Sequence, residues 1–136
     1  MIEVEVTRVV RFEAAHRLLV EEWSADENWR IYGKCSREGG HGHNYEVEVT
    51  VSGSVHPNTG FAVRRDRLDE VLSRELVQRC DHRDLNRVLP GVVTTGENLA
   101  RMFFDWLEPA LAAESIRLSR VRVFETPRNV FEISAK

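Results

Sequence analysis

The stretch YEVEVTVS, residues 45–52, constrains the fold more than any other part of this 136-residue chain. Its apolar residues recur at every second position, and they are Tyr45, Val47, Val49 and Val51. This alternation is typical of an antiparallel strand that has one face on the core and the other in solvent. The sequence therefore predicts a sheet that other elements must cover on one side.

Three further segments have the same period. They are residues 2–12 and the final pair LSRVRVFE (118–125) and VFEI (130–133), which a TPRN turn separates. In the first segment the apolar residues change from one face of the strand to the other, which predicts a phase slip near Arg8. Proline, asparagine and glycine within HPNTG, residues 56–60, predict a turn that returns the chain into a short strand at 61–63.

Two segments have helical periodicity. Asp66 is a candidate N-cap for the first, whose apolar face carries Leu68, Val71, Leu72, Leu76 and Val77. The second, TTGENLARMFFDWLEPAL, opens with a capping-box pattern from Thr94 to Glu97. Residues 21–34 are expected to be irregular. The order β-β-β-α-α-β-β predicts an α+β fold in a single domain spanning residues 1–136.

The charge and cysteine content exclude several classes of protein. A net charge of −3 and a pI of about 6.0 show no excess of basic residues that would bind nucleic acid or an anionic membrane. We therefore expect neither a nucleic-acid nor a membrane partner. No run approaches the ~18 apolar residues of a membrane span. The start, MIEVEVTRVV, lacks the features of a signal peptide. Cys35 and Cys80 are too few for a disulfide framework, which favours a reducing cytoplasm.

The stretch KCSREGGHGHNY, residues 34–45, concentrates metal-ligating side chains. His41 and His43 point to the same face of a strand, and Gly42 leaves room for a cation between them. They could equally be polar residues at a strand entrance. His16, which ends FEAAH, would complete three nitrogen ligands, the usual catalytic zinc arrangement with one open position. Spacing alone does not show that His16 lies near the other two.

Cys35 and the dipeptide Asp81-His82 are candidate proton-transfer groups. A thiolate at Cys35 could act as a base or nucleophile, and the alternative is a small buried hydrophobe. Cys80 fits that second role. A carboxylate beside an imidazole can form a proton relay, although such pairs also occur as capping groups.

Five fragments occur together in this order: FEAAH, GKC-x5-HGHNY, CDHRDLN, TTGENLA and VFET. From about residue 8 to 133 the chain resembles the 6-pyruvoyl-tetrahydropterin synthase family, which includes the 6-carboxytetrahydropterin synthases of the queuosine pathway. The resemblance implies the tunnelling fold, an antiparallel sheet with two helices packed on one face. It also implies that subunits associate into a β-barrel, commonly as a hexamer of two trimers with active sites at the subunit interfaces.

The resemblance also implies roles for individual residues. The expected zinc ligands are His16, His41 and His43, and the expected catalytic groups are Cys35, Asp81 and His82. Glu125 matches the glutamate that anchors the pterin, and Thr95 and Glu97 fall in a segment that lines the pterin site. Glu125 shares a strand face with Val121 and Val123, so it should point inward, where an unpaired carboxylate would be costly.

By resemblance, the expected substrate is 7,8-dihydroneopterin triphosphate. Five residues separate Cys35 from His41, whereas many queuosine-pathway enzymes have three residues at this point. The spacing therefore favours a lyase that forms 6-pyruvoyl-tetrahydropterin with triphosphate elimination. The alternative is a lyase that forms 6-carboxytetrahydropterin and acetaldehyde. A non-catalytic zinc- or pterin-binding homologue is a further alternative. The chain departs from the family pattern at Glu13 and at Arg64, Arg65 and Arg67, and these departures bear on which substrate it accepts.

Overall fold

The computed structural model describes residues 2–136, whose strands form one five-stranded sheet in the order β3-β1-β2-β4-β5. The strands are β1 (Glu3–His16), β2 (His41–Ser54), β3 (Arg83–Asp84), β4 (Arg117–Thr126) and β5 (Asn129–Ser134). All neighbours are antiparallel except β3, which runs parallel to β1. The predicted α+β class and the predominantly antiparallel sheet are confirmed.

The helices lie between the strands in sequence. They are α1 (Ala25–Tyr32), α2 (Arg65–Leu72), α3 (Gln78–Cys80), α4 (Leu85–Val88) and α5 (Gly96–Ala112). A 3-10 turn, Gly33–Ser36, follows α1, and a π-helical segment, Ser73–Val77, joins α2 to α3. Across residues 2–136, none of these helices combines the length and the apolar character needed to cross a membrane.

β1 and β2 pair along their whole length, from Glu3 opposite Ser54 to His16 opposite His41, and the register is constant over all 14 pairs. The predicted phase slip near Arg8 is therefore wrong. Val10 faces the core and Val9 lies on the outer face, where it is 42% exposed. The adjacent valines gave the pattern of a phase change because Val9 is an exposed apolar residue, which is common on protein surfaces.

The core lies between the inner face of the sheet and the helices α2 and α5. The alternating apolar residues of β2 are all at most 1% exposed, and on α5 the side chains of Leu99, Phe103 and Leu107 are fully buried. Each such burial contributes about 1.5–3 kcal/mol. A Cβ atom at Gly96 would lie 2.0 Å from the ring of Phe131, so this glycine lets α5 begin directly against β5.

The predicted strand at 61–63 is wrong, although the turn before it forms. The backbone N–H of His56 donates to the carbonyl of Phe61 at 2.9 Å, but the chain then bends towards α2 without joining the sheet. The strand that the sequence did not reveal is β3. Its two residues are too few to carry any period.

The expectation of an irregular segment at 21–34 is also wrong, because α1 lies within it. Ser24 caps this helix, and its Oγ accepts a hydrogen bond from the N–H of Glu27 at 3.1 Å. Asn28, which is buried, donates to the carbonyl of Val20 at 3.0 Å and accepts from its N–H at 2.8 Å. Polar contacts rather than an apolar stripe hold α1, so hydrophobic periodicity could not predict it.

Both predicted helix caps are displaced. Arg64 occupies the N-cap position of α2 without a capping side chain, and Asp66 lies in the first turn, paired with Arg64 at 2.6 Å. In α5 the cap is Thr95 rather than Thr94, and its hydroxyl accepts from the N–H of Asn98 at 3.3 Å.

The arginines that depart from the family pattern lie far from the histidines. Arg64 pairs with Asp66, Arg67 pairs with Glu114 at 3.0 Å, and Arg65 stacks on Phe61 at 5.2 Å. They lie near Ser54 and Gly53, at the end of β2 opposite to His41. A strand of that length spans about 40 Å. These departures therefore lie away from the histidine cluster of their own chain.

Candidate metal centre and active site

Three histidines meet where β1 ends and β2 begins. The strand register places His16 directly opposite His41, and His43 follows two residues later on the same face. One potential ligand atom from each side chain lies within 4.8 Å of the others, and the ring centroids are 4.6 to 5.2 Å apart. The pairing of the two strands thus supplies the proximity that the spacing of the histidines could not establish.

His16 is held by a residue that is distant in the sequence. Its Nδ1 lies 2.9 Å from the carbonyl oxygen of Thr94 and 3.1 Å from the hydroxyl of the same residue. A carbonyl can only accept, so Nδ1 carries the proton and the lone pair of Nε2 is directed into the cluster. A metal-binding histidine is commonly oriented by such a hydrogen bond to its other nitrogen.

The protonation of the cluster suits metal binding. Burial, reinforced by the proximity of His41, lowers the pKa of His16 to about 4. Burial also lowers the pKa of His43, against the opposing charge of Glu125. His16 and His43 are therefore mainly neutral at neutral pH, and the neutral imidazole is the form that binds metals. Among the residues that the structure describes, Nε2 of His43 is buried without a hydrogen-bond partner. This orphaned nitrogen and the three-imidazole donor set fit a metal ion.

Glu125 and Tyr45 complete the inner face of this site. The carboxylate of Glu125 approaches Nε2 of His16 at 4.0 Å and Nε2 of His43 at 3.9 Å, so it points inward as the alternation of β4 predicts. The hydroxyl of Tyr45 lies 3.5 Å from Nε2 of His16. Burial raises the pKa of Tyr45, which keeps the phenol neutral and able to donate.

Cys35 lies on the 3-10 turn after α1 and is partly exposed. Its carbonyl accepts from the N–H of Leu18 at 2.7 Å, and Arg17 donates to the carbonyl of Ser36 at 2.7 Å. Two hydrogen bonds therefore tie the cysteine turn to the residues that follow His16. Cys80 is fully buried, which raises the pKa of its thiol to about 12 and agrees with a packing role.

Asp81 and His82 form a close side-chain pair at the edge of β1. Asp81 Oδ2 lies 3.0 Å from Nδ1 of His82, and Asp81 Oδ1 accepts from the N–H of Glu13 at 3.1 Å. The Glu13 hydrogen bond, followed by His82, lowers the pKa of Asp81. The N–H of His82 donates to the carbonyl of Glu13 at 2.7 Å, although the backbone of His82 is left-handed, with φ of 57°.

The Asp81–His82 pair lies on the opposite face of the sheet from the histidine cluster. Side chains of β1 alternate, so the exposed Glu13 and the buried His16 point to opposite faces. The imidazole of His82 lies beside the Glu13 carboxylate, with Nε2 3.8 Å from Oε2. One chain therefore does not bring its own His82 to its own metal-binding cluster.

Thr95 and Glu97 lie at the start of α5. The hydroxyl of Thr95 is used as the helix cap, and Glu97 is exposed in the first turn. No sequence pattern identified Thr94 as the partner of His16. Asn86, by contrast, lies within the quoted motif CDHRDLN. Its side chain donates to the carbonyl of Arg17 at 2.9 Å and accepts from its N–H at 2.8 Å, which fixes the backbone beside His16.

The fold and the site define a tunnelling-fold protein with a three-histidine candidate metal centre. The family model described as 6-pyruvoyl tetrahydropterin synthase matches residues 5–136, and the chain belongs to this family. The human 6-pyruvoyl tetrahydrobiopterin synthase is 37% identical over 131 residues, which cover 94% of this chain and 89% of the human protein.

Two further comparisons agree. The Dictyostelium discoideum protein of the same name is 37% identical over 129 residues, covering 93% of this chain and 92% of that protein. The solved structure of Caenorhabditis elegans 6-pyruvoyl tetrahydropterin synthase superposes with a TM-score of 0.92 at 36% identity, covering 100% of this chain and 98% of that one. The resemblance drawn from the five sequence fragments is confirmed.

Proposed function

We propose that the protein is a zinc-dependent lyase that converts 7,8-dihydroneopterin triphosphate into 6-pyruvoyl-tetrahydropterin with elimination of triphosphate. The observation that carries this proposal is the three-histidine cluster, in which His16 is buried and His43 has an unpartnered Nε2, in a chain that belongs to this family. The five-residue spacing between Cys35 and His41, and the names of the relatives at 35–39% identity, support the 6-pyruvoyl product.

His16, His41 and His43 would hold the zinc ion. Three neutral nitrogen ligands with an open fourth position are typical of catalytic zinc sites. Zinc bound there would act as a Lewis acid on the side-chain oxygens of the substrate. Thr94 fixes the tautomer of His16, so the Nε2 lone pair is available before the metal arrives.

The remaining groups would bind the substrate and move protons. Glu125, facing the cluster from β4, would accept two parallel hydrogen bonds from the amino and ring N–H groups of the pterin. Thr95 and Glu97, at the start of α5, would line the same pocket. Cys35 as a thiolate would remove a proton from the substrate side chain, and His82, oriented by Asp81, would transfer another.

The arrangement requires an oligomer. Because the Asp81–His82 pair and the histidine cluster lie on opposite faces, the two can meet at one substrate only if different subunits supply them. The sheet also offers a surface for association: within residues 2–136, the outer edge of β1 pairs with β3 at Ala14 and Ala15 alone. An edge of this length is a ready surface for strand pairing. We propose a homohexamer of two trimers with active sites at subunit interfaces.

The test is incubation of the purified, zinc-loaded protein with 7,8-dihydroneopterin triphosphate, followed by mass spectrometry of pterins and acetaldehyde. A 6-pyruvoyl product without acetaldehyde supports the proposal. A 6-carboxy product with acetaldehyde would show that the protein catalyses the reaction of the queuosine-pathway enzymes instead. Binding of the pterin without turnover would overturn the enzymatic assignment altogether.

A further inference from the structure

Glu13 is the departure from the family pattern that lies closest to a proposed reacting group. It lies on the outer face of β1, three residues before His16. Its backbone N–H and carbonyl hold the Asp81-His82 dipeptide through hydrogen bonds of 3.1 and 2.7 Å. Any residue except proline could make these two backbone bonds, so they do not account for a carboxylate at this position.

The Glu13 carboxylate places His82 between two acids. Asp81 Oδ2 lies 3.0 Å from Nδ1 of the imidazole, while Glu13 Oε2 lies 3.8 Å from Nε2. The side chains of His82 and Glu13 are 75% and 67% exposed, so both are free to move. An approach of about 1 Å would bring Oε2 and Nε2 within hydrogen-bond distance.

Other charged or polar groups line the same cavity as this contact, and Arg83 and Asp84 line the adjoining one. Arg11, on the same face of β1, is paired with Glu46 at 2.9 Å. Asn44, on β2, is neutral. Together with Glu13, Asp81 and His82, these three residues line a cavity of about 640 Å³ that opens to solvent. Of the acids that line this cavity, Glu13 is the one placed beside Nε2.

Resting on the proposed function, we infer that Glu13 is a relay group that exchanges the Nε2 proton of His82 with solvent. The proton leaves Nε2 of the imidazolium and is taken by the Glu13 carboxylate. The products are a neutral imidazole, still bonded through Nδ1–H to Asp81, and a carboxylic acid that releases the proton to water. The same steps in reverse reload the imidazole. Glu13 acts through His82, so it is a positioning and relay residue and does not touch the substrate.

The first test is the turnover of Glu13→Gln in weakly buffered solution. Glutamine keeps the size and the backbone bonds but cannot carry the proton. We expect kcat to fall about ten-fold, the solvent isotope effect to rise, and added imidazole buffer to restore the rate, since a small base can replace the relay. The matched control is Glu5→Gln, which removes an exposed carboxylate from the same face of β1, eight residues away from Glu13, and should leave kcat unchanged. A Glu13→Gln enzyme with wild-type kcat would overturn the inference.

A second measurement does not depend on turnover. In protein labelled with ¹⁵N-histidine, the Nε2 resonance of His82 should change in Glu13→Gln, and by more than that of Nδ1, because Nε2 is the nitrogen beside Glu13. Identical Nε2 resonances in both proteins would rule out the contact even if the wild type were inactive. An inactive wild type that retains this difference would instead overturn the proposed function and leave the Glu13–His82 contact established.

Discussion

The carbonyl oxygen of Thr94 lies 2.9 Å from Nδ1 of His16, which couples the loop before α5 to the end of β1. The next residue, Thr95, caps α5, so the start of the longest helix and one candidate metal ligand are fixed by adjacent threonines. Thr94 is fully buried and its hydroxyl also approaches the carbonyl of Arg17 at 3.4 Å. This end of the candidate metal centre is therefore anchored to the core.

Replacing Thr94 by valine should weaken metal binding without removing a ligand. Valine keeps the shape and the backbone carbonyl, but it loses the hydroxyl that lies 3.1 Å from Nδ1 of His16. Loss of such a supporting hydrogen bond typically lowers metal affinity by 10–100-fold, and we expect about 10-fold because the carbonyl remains. Competition with a chromophoric zinc chelator measures this change.

Thr95→Val is the matched control for that experiment. It removes the cap of α5, which should lower the free energy of unfolding by about 1 kcal/mol and leave metal affinity unchanged. Equal losses of zinc affinity in the two variants would show that the effect reaches the site through general destabilisation. The specific role of Thr94 would then be wrong.

Residue patterns predicted the parts of the fold that have a period. β2, β4, β5 and the apolar faces of α2 and α5 follow directly from alternation or helical spacing, because each buries one face in a common core. α1 and β3 were missed for the opposite reason. The first is held by the capping hydroxyl of Ser24 and the buried amide of Asn28, and the second has only two residues.

The candidate site was predictable in its residue types but not in its assembly. His41 and His43 share a face because they are two apart on one strand. Proximity of His16 required the register of β1 against β2, which sequence spacing does not determine. The Thr94–His16 contact depends on tertiary packing between residues that are 78 positions apart in the sequence. The separation of His82 from the cluster depends on which face of β1 each group occupies.

The two cysteines should behave differently. We expect Cys35→Ala to abolish turnover while zinc is retained, because the three histidines are unchanged and only the proposed base is lost. Native-state thiol labelling should modify Cys35, which is partly exposed, and leave Cys80 unreacted, since burial raises its pKa to about 12. Turnover, bound zinc and labelling are each measured on the same preparations.

Cys80→Ala provides the comparison. It removes a buried sulfur and should destabilise the fold by about 1 kcal/mol while preserving kcat per folded molecule. If Cys35→Ala kept the wild-type rate, or if Cys80→Ala lost it without unfolding, the assignment of the thiolate to Cys35 would be wrong.

The metal-free protein should lose stability as the pH falls from about 6.5 to about 4. The pKa of His16 is lowered from 6.5 to about 4, so below pH 6.5 the unfolded chain binds a proton that the folded chain does not. Stability is therefore complete above 6.5 and decreases towards 4, by up to about 3 kcal/mol from this residue. His43, whose pKa is also lowered, adds to the change in the same direction.

Urea unfolding of the metal-free protein at several pH values measures this dependence. His16→Asn should flatten the profile between pH 6.5 and 4, because the group that gains the proton on unfolding is gone. An unchanged slope in that variant would contradict the protonation state assigned to His16. The loss of stability below pH 4, to which the lowered pKa of Asp81 contributes, should remain in both proteins.

Mixed oligomers test whether one active site draws on two subunits. His43 lies in the metal-binding cluster on the inner face, and His82 lies with Glu13 on the outer face. We expect His43→Asn and His82→Asn each to be inactive alone, the first through lost zinc and the second through lost proton transfer. When the two variants are co-expressed and assemble at random, about one quarter of the interfaces combine an intact cluster with an intact His82.

Such mixtures should therefore recover about a quarter of the wild-type rate, measured on oligomers purified through two different affinity tags. The control is a mixture of His43→Asn with His41→Asn, whose lesions fall in the same cluster and should not complement each other. Recovery of activity in the control would mean that metal ions or wild-type subunits had entered the mixture. No recovery of activity in the test pair would place His82 and the cluster in the site of a single subunit. That second result would require β1 to let both groups reach one face, against the alternation that places Glu13 and His16 on opposite sides.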